Sequence, residues 1–349
     1  MNFALSDEQQ FLQDAARGAL GRVKTVEAAR EALDGAELPE LWPLAVEAGW
    51  TGMLVPEEQG GAGLGAIEAM LVFAELGRVL ASVPLLGHLP ATLLYPDEAL
   101  ADGTLRGAFA GADPSDWSTE PREGMRRPPA PTFENGTLAG EVAWVPDAPG
   151  ADYFVVVCQG GRVVMAEDAE VEAVRRYDAT RSLGHVRFHD APATEIEGAD
   201  AAAAWHLAQA LIAAESLGAV EVALESAVGY AKERFTFGRA IGSYQAVKHE
   251  LVEILRRLEN ARSLMFYAGW AWQDRRDELA LAAAAFRTAA AGAIDHATRA
   301  LISVHGGIGA TWEHDAPLYF RRAQLSRRLL GGTAGASARV ADELFAAAA

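Results

Sequence analysis

The sequence predicts a mainly α-helical protein with a β domain in the middle of the chain. Apolar residues recur every three to four positions near both ends, which is the spacing of one helix face. In the middle this period disappears, and proline and glycine become frequent. We therefore expect three domains: a helical domain over residues 1–103, a β domain over 104–197 and a helical bundle over 198–349.

The N-terminal region opens with a helix-capping signal. Ser6 precedes an acidic turn and Gln9 follows three residues later, so two backbone N–H groups find side-chain partners. A second apolar helix is predicted over residues 67–80. Residues 61–66 formally match the dinucleotide fingerprint GxGxxA. The apolar run before them is too short for the strand that this fingerprint needs, so we favour a loop before a helix.

The middle region carries strand signals. Residues 153–157 and 162–165 are apolar runs joined by Gln-Gly-Gly at 159–161, which predicts a hairpin. Residues 185–189 alternate between polar and apolar, as a half-buried strand does. Residues 113–131 are polar and rich in proline, and we interpret them as a mobile loop.

Three long helices are predicted in the C-terminal region. The apolar period runs through residues 207–228 and again through 247–265. An alanine-rich stretch over 279–304 gives the third helix, and its small side chains allow close helix packing.

Composition and charge exclude several classes of function. The 349 residues carry a net charge of −18, which opposes binding to nucleic acid or to an anionic membrane surface. The one cysteine, Cys158, cannot form an internal disulfide. The chain has no long uninterrupted apolar run and no basic signal at its N-terminus, so we expect a cytoplasmic protein without a membrane partner.

Two segments contain residue types that can bind a phosphorylated ligand. Residues 233–245 lie between two predicted helices and offer arginines, a hydroxyl and a turn, which suits a pyrophosphate; a capped helix end with solvated arginines explains them equally well. Residues 303–315 contain three glycines that permit close approach of a ligand, or else form a simple helix cap and turn. His305 and His314 have no carboxylate at ligand spacing, so no metal site is expected.

Taken together, these segments resemble the acyl-CoA dehydrogenase family over nearly the whole chain. The matching segments are 3–9, 56–63, 73–78, Arg234-Phe235-Thr236-Phe237-Gly238 with Gln245, His305-Gly306-Gly307-Ile308-Gly309 and Trp312-Glu313-His314. The resemblance implies an N-terminal helical domain, a β-barrel-like domain and a C-terminal four-helix bundle. It also implies an FAD enzyme that oxidises an acyl-CoA thioester to the 2,3-enoyl-CoA, with an electron-transferring flavoprotein as the expected acceptor.

The resemblance also implies roles for particular residues. In this family, FAD lies across a subunit interface, and the neighbouring chain holds its pyrophosphate and adenosine end. By position, that neighbour role falls to the following residues: Arg234, Thr236, Phe237, Gln245, Gly306 and Gly307. Ser303 stands where the family usually has a glutamine, so one expected contact is weakened.

The catalytic half of the site departs from the family pattern. The base is a glutamate before a Gly-Thr pair, where this chain has Leu330 or Gly331, or it lies on the preceding long helix, where the chain has Ala210. None of these side chains accepts a proton. Glu215 is five residues further along that helix, about 140° around the axis, so we expect it to face elsewhere.

The flavin-lining part of the β domain departs as well. Residues 107–113 have no clear counterpart of the family's flavin-lining segment, and Trp144-Val145-Pro146 replaces its Trp-Ile-Thr segment. Trp144 can still stack on a flavin, whereas Pro146 has neither a hydroxyl nor an N–H to donate.

The pattern of losses favours a hetero-oligomer. The motifs that serve a neighbour's flavin are kept, and those that serve the chain's own flavin and base are missing. We therefore expect the non-catalytic subunit of an α2β2 enzyme with a paralogous catalytic partner that holds most of the acyl-CoA, as in bacteria that degrade steroid side chains. Two alternatives remain open: a self-sufficient homotetramer with a displaced base such as Glu215, and a flavin-free paralogue that binds a CoA thioester or acts as a scaffold.

Overall fold

The computed structural model describes residues 4–117 and 129–348 and confirms the helical–β–helical arrangement. The predicted loop over 113–131 lies largely outside the described residues. Within it, Trp117 accepts a hydrogen bond on its backbone carbonyl from the N–H of Gly160 (2.8 Å).

Six α-helices form the N-terminal part within residues 4–103. They are α1 (Asp7–Leu20), α2 (Thr25–Glu31), α3 (Trp42–Glu47), α4 (Ala66–Arg78), α5 (Leu85–Leu94) and α6 (Glu98–Ala101). Ser6 caps α1 and forms the expected reciprocal capping box with Gln9. In residues 4–60 no strand precedes the glycine-rich segment 61–66, which leads directly into α4. The interpretation of that segment as a loop before a helix is therefore confirmed.

The middle part is a mixed sheet. Its strands are β1 (Gly107–Ala110), β2 (Thr132–Glu134), β3 (Thr137–Pro146), β4 (Tyr153–Val157), β5 (Val163–Ala166), β6 (Glu170–Ala173) and β7 (Leu183–Glu195), in the order β1-β4-β5-β7-β3-β2 with β6 also paired to β7. Among the strands that the structure describes, only β1 and β4 pair in parallel. The predicted hairpin is β4–β5, and residues 185–189 lie within β7, so both strand predictions are confirmed.

The C-terminal part is a bundle of long helices. Its elements are α7 (Ala201–Glu233), β8 (Phe235–Thr236), β9 (Arg239–Ala240), α8 (Gln245–Asp274), α9 (Leu279–His305), α10 (Ala316–Ser326) and α11 (Gly332–Ala348). Helices α7, α8 and α9 pack against one another, and α11 packs against α9, which gives the expected four-helix bundle. Helix α7 is long and apolar enough to cross a membrane, although 83% of its most apolar window is buried inside the protein. Burial in the core accounts for that apolar composition.

Helices α4 and α7 approach so closely that glycine is required on both. A Cβ added at Gly77 would lie 1.8 Å from the carbonyl oxygen of Glu215, and one added at Gly218 would lie 1.8 Å from that of Ala74. This contact fixes the part of α7 that carries Glu215 against the N-terminal helices.

Candidate functional site

The residues predicted to bind the cofactor lie at one end of the C-terminal bundle. Arg234 directly follows α7, and Thr236 and Phe237 belong to the β8–β9 hairpin that links α7 to α8. Gln245 is the first residue of α8. All four side chains are exposed to solvent.

The hairpin turn holds its apolar side chains in solvent. Phe237 and Gly238 both have positive φ (53° and 79°), the geometry of a two-residue turn whose twist matches the paired strands. The Phe237 side chain is 93% exposed. Three further large apolar residues near this end are exposed as well: Phe235, Ile308 and Trp312. Such a patch on a hairpin and a loop has the character of an interaction surface.

A ring stack joins the hairpin to the glycine-rich loop. Tyr230, on the last turn of α7, stacks on His305 at the end of α9, with ring centroids 4.3 Å apart. His305 in turn contacts the ring of His314 at 4.2 Å. Burial, together with the neighbouring His305, lowers the pKa of His314. The ends of α7 and α9 are therefore held side by side.

The glycine loop begins where α9 ends. Gly306 has φ 64° and ψ −138°, a conformation that favours glycine. A Cβ added at Gly306 or Gly307 would meet no atom within 4 Å, so the backbone there is open to an approaching group. The structure thus brings the two glycines to the same bundle end as the hairpin.

Arg234 and Arg239 provide unneutralised positive charge at this end. Neither guanidinium pairs with a carboxylate in residues 4–117 or 129–348. Arg239 stacks on the ring of Tyr244 at 4.0 Å, and the Tyr244 hydroxyl donates to the carbonyl oxygen of Thr236 (3.0 Å). The arginines are therefore available to a diphosphate, for which a guanidinium fork is well suited.

The expected base positions lie next to one another and contain no proton acceptor. Ala210 is buried on α7, and Leu330 and Gly331 form a left-handed turn after α10. The side-chain amide of Gln209 donates to the carbonyl oxygen of Leu330 (2.6 Å), which ties the two positions together. Neither an aliphatic side chain nor glycine can remove a proton from a substrate.

Glu215 is held in a buried ionic network. Its side chain is 5% exposed, with one oxygen paired to Arg181 and the other to Arg322. Arg322 also pairs with Asp178 (2.9 Å). Burial alone would raise the pKa of Asp178, but Arg322, Thr180 and Arg181 outweigh it and hold that pKa below its usual value. With both oxygens engaged, Glu215 joins the β domain to α10.

Sequence reasoning missed this network. Arg181 and Asp178 lie in the segment between β6 and β7, and Arg322 lies inside α10, far away in the sequence. The available signal was a charged Arg321-Arg322 pair within a short helix that also carries apolar residues. That pattern does not say which arginine is buried; Arg322 is 1% exposed.

The position expected to face a flavin ring is already packed. The Arg176 guanidinium lies 4.0 Å over the Trp144 ring, and the His185 ring meets it edge-on at 4.6 Å. Asp147, three residues after Trp144, is also buried, and burial raises its pKa to about 6. The hydrogen bond that its carboxylate accepts from the Gly87 N–H (2.8 Å) acts in the opposite direction and lowers that pKa. The cavity lined by residues 110–112 and 141–143 holds only about 50 Å³. That volume is far too small for a flavin ring.

The residues present therefore fit one end of FAD and not the other. The exposed arginines and open glycine backbone suit the pyrophosphate end. The packed Trp144, the proline at 146 and the small cavity do not suit the ring end.

Comparison with known proteins agrees with this architecture. The acyl-CoA dehydrogenase N-terminal domain family matches residues 6–100, and the C-terminal domain family matches residues 198–344. The chain is 32% identical to the acyl-CoA dehydrogenase IpdE2 of Mycolicibacterium smegmatis, over 98% of this chain and 100% of that protein.

Two solved complexes are similar in structure. The crystal structure of the ChsE4-ChsE5 complex from Mycobacterium tuberculosis matches with a TM-score of 0.85 and 27% identity, over 99% of both chains. The Tcur3481-Tcur3483 steroid ACAD G363A variant matches with a TM-score of 0.86 and 27% identity, over 98% of this chain and 99% of that one. From the two domain matches and the full-length relative, the chain belongs to the acyl-CoA dehydrogenase family.

Proposed function

We propose that this chain is the non-catalytic subunit of an α2β2 acyl-CoA dehydrogenase. It supplies the pyrophosphate and adenosine half of an FAD site to a paralogous catalytic subunit. The partner carries the base, the isoalloxazine pocket and most of the acyl-CoA site, and the isolated chain is inactive. The proposal includes the division of the chain into an N-terminal domain that ends at residue 103, a β domain that ends at residue 197 and a C-terminal domain after it.

One observation carries the proposal: the two halves of the family's site differ in this chain. At the bundle end, Arg234 and Arg239 are exposed and have no carboxylate partner among the described residues. At the base positions, Ala210 and Leu330 offer no proton acceptor, and Glu215 is paired to two arginines.

Membership of the family supports FAD as the cofactor. When bound, FAD would supply the acceptor for the hydride that leaves the β-carbon of the acyl chain. The residues of this chain act at the other end of the cofactor. Arg234 and Arg239 would neutralise the diphosphate, and the amides at the N-terminus of α8 would add partial positive charge. The backbone at Gly306 and Gly307 lets the cofactor approach closely.

The exposed apolar residues at the same end support a contact with another chain. Phe235 and Phe237 are 63% and 93% exposed, and Trp312 is 73% exposed. Aromatic side chains in such positions are typical of protein interfaces. The catalytic subunit is the occupant that the proposal assigns to this surface.

The relatives support a heteromeric enzyme and a steroid substrate. The ChsE4-ChsE5 complex is composed of two named chains, and the Tcur3481-Tcur3483 protein is called a steroid ACAD. By analogy, we propose a steroid side-chain CoA thioester as substrate, an electron-transferring flavoprotein as acceptor and a cytoplasmic enzyme.

The decisive experiment measures flavin per chain by absorbance, for this chain expressed alone and with its paralogue. Flavin found only on co-expression, at one per heterodimer, supports the shared site. One flavin per chain in the protein alone would favour a self-sufficient homotetramer. No flavin under either condition would favour a scaffolding paralogue.

A variant localises the contribution of this chain. Arg234→Ala in the co-expressed complex should lower flavin retention, because it removes one diphosphate-binding guanidinium. Arg22→Ala is the matched control: Arg22 is also exposed, has no carboxylate partner among the described residues and follows α1 rather than α7. Equal flavin content in both variants would count against the assignment.

A further inference from the structure

A second arginine-rich site lies away from the hairpin. The loop after α2, the segment between β6 and β7, and α10 enclose a groove of about 520 Å³. Four arginines line it: Arg175, Arg176, Arg181 and Arg321. We propose that this groove binds a small organic phosphate ester. The inference does not depend on the function proposed above.

The charge of the groove is largely unneutralised. Arg175, Arg176 and Arg321 pair with no carboxylate in the described parts of the chain. Within the described residues, Arg321 donates only to the backbone carbonyl oxygen of Tyr177 (3.2 Å). By contrast, many arginines elsewhere are paired; Arg78, for example, contacts two glutamates of α7. In a chain with a net charge of −18, a cluster of unpaired arginines indicates a site for an anion.

Acidic side chains in the groove do not cancel this charge. Asp178 lines the groove but is paired to the buried Arg322 (2.9 Å). Glu37 is the other lining carboxylate and is exposed to solvent on the opposite wall. With Asp178 paired to Arg322 and Arg181 paired to Glu215, three unpaired guanidinium groups among the described residues face one free carboxylate.

Arg181 is the buried arginine among those that line the groove. Its side chain is only 6% exposed, and one Nη atom is paired with Glu215. Its Nε is buried and has no hydrogen-bond partner within the described residues. A buried N–H without a partner is unfavourable, and an oxygen of a bound anion that reaches it would satisfy it.

The surroundings favour an anion attached to an apolar or aromatic body. The Arg176 guanidinium is held 4.0 Å over Trp144, so its orientation is fixed before a ligand arrives. Tyr177 is 41% exposed, and with Arg321 it also lines a neighbouring cavity of about 500 Å³. That cavity is lined in part by Ile302, Pro317 and Phe320. Arginine forks match phosphate oxygens, and the adjoining cavity would accept the organic part.

Calorimetric titration of the full chain tests the inference. The probes are inorganic phosphate and phenyl phosphate, at fixed low ionic strength. We expect saturable binding of both, with phenyl phosphate at least threefold tighter because its ring reaches the apolar cavity. The double variant Arg175→Gln/Arg321→Gln should weaken both by at least tenfold. Arg22→Gln should leave both affinities unchanged, and Arg234→Gln distinguishes binding at the groove from binding at the hairpin.

Each other outcome overturns the inference. If binding is not saturable, or if the double variant binds as tightly as the unmodified chain, the groove is not a phosphate site. Equal affinity for inorganic phosphate and phenyl phosphate would show that the adjoining cavity does not bind the organic part of the ligand. If Arg234→Gln abolishes binding and the double variant does not, the phosphate binds at the hairpin. The groove proposal is then wrong, while the hairpin role proposed above gains support.

Discussion

Tyr230 of α7 stacks on His305 of α9, with ring centroids 4.3 Å apart and ring planes inclined by 28°. The two residues are separated by a whole helical hairpin in sequence. Their contact fixes the distance between the Arg234 turn and the Gly306-Gly307 loop. Neither the Arg234 turn nor the Gly306-Gly307 loop identifies a cofactor site by itself, but this contact brings them together into one surface. The proposed FAD half-site depends on this contact.

Replacing Tyr230 by alanine should therefore weaken flavin retention in the co-expressed complex. An aromatic contact of this kind contributes about 0.5–1.5 kcal/mol, so the loss should be roughly two- to tenfold in flavin affinity. Flavin absorbance after gel filtration and a titration of the apo-complex with FAD measure it. Tyr230→Phe keeps the ring and should retain flavin as the unmodified chain does. If Tyr230→Phe is as defective as Tyr230→Ala, the stack is not the cause.

Glu215 should behave as a structural residue and not as a base. Glu215→Gln leaves Arg181 and Arg322 without one buried partner, which costs about 3–5 kcal/mol of unfolding free energy. Glu225→Gln, on the same helix, removes an ion pair whose carboxylate is 61% exposed and should cost at most about 1 kcal/mol. Urea unfolding at neutral pH compares the two variants.

The reverse result would revive the displaced-base alternative. A Glu215→Gln chain of unchanged stability that can no longer reduce flavin with acyl-CoA would identify Glu215 as the base. The ionic network predicts the opposite combination: lower stability, and turnover in the complex that is unchanged wherever the protein remains folded.

His88 should make stability rise with pH. Its ring is buried, contacts the carbonyl oxygens of Thr51 and Leu100 through Nε2, and accepts the Gly107 N–H at Nδ1. Burial lowers the pKa of His88 to about 4 from 6.5. The unfolded chain therefore binds this proton more readily. Stability from His88 is complete above pH 6.5 and is lost as pH falls toward 4.

The contribution of His88 can be isolated by substitution. When the pH falls from 7.5 to 5.5, His88 should lower the unfolding free energy of the unmodified chain by about 1 kcal/mol. Burial raises the pKa of Asp147 to about 6, so Asp147 acts in the opposite direction over this range, and only a comparison with a variant separates the two. His88→Gln keeps a donor and an acceptor but does not titrate. Identical pH slopes for the two chains would show that His88 does not contribute.

The overall fold was predictable because it depends on local periodicity. The long helices, the β4–β5 hairpin and the Ser6 capping box all follow from residues close in sequence. The roles of Arg234, Gly306 and the other site residues stay predictions, since they came from motifs, and their proximity in space depends on the Tyr230–His305 contact.

The contacts that could not be predicted join residues that are far apart in the sequence. The partners of Glu215 come from the β domain and from α10, and no local pattern links Arg181 to Arg322. The Arg176–Trp144 contact is equally non-local in origin, because it requires the pairing of β3 with β7 and of β6 with β7. The angle of about 140° around the helix axis predicted that Glu215 and Ala210 face different directions. It did not predict which residues Glu215 would contact.

The close approach of α4 to α7 gives a prediction that needs neither ligand nor partner. Gly77→Ala would place a Cβ 1.8 Å from the carbonyl oxygen of Glu215, so the helices must separate. We expect a loss of about 1–3 kcal/mol in unfolding free energy from overpacking. Gly229→Ala is the matched control, because Gly229 lies within α7 and its added Cβ meets no atom within 4 Å. Helix propensity should then stabilise that variant by about 0.5–1 kcal/mol. Opposite signs in denaturant unfolding are the expected result, whereas equal stabilisation by both alanines would mean that the two helices are not in contact at Gly77.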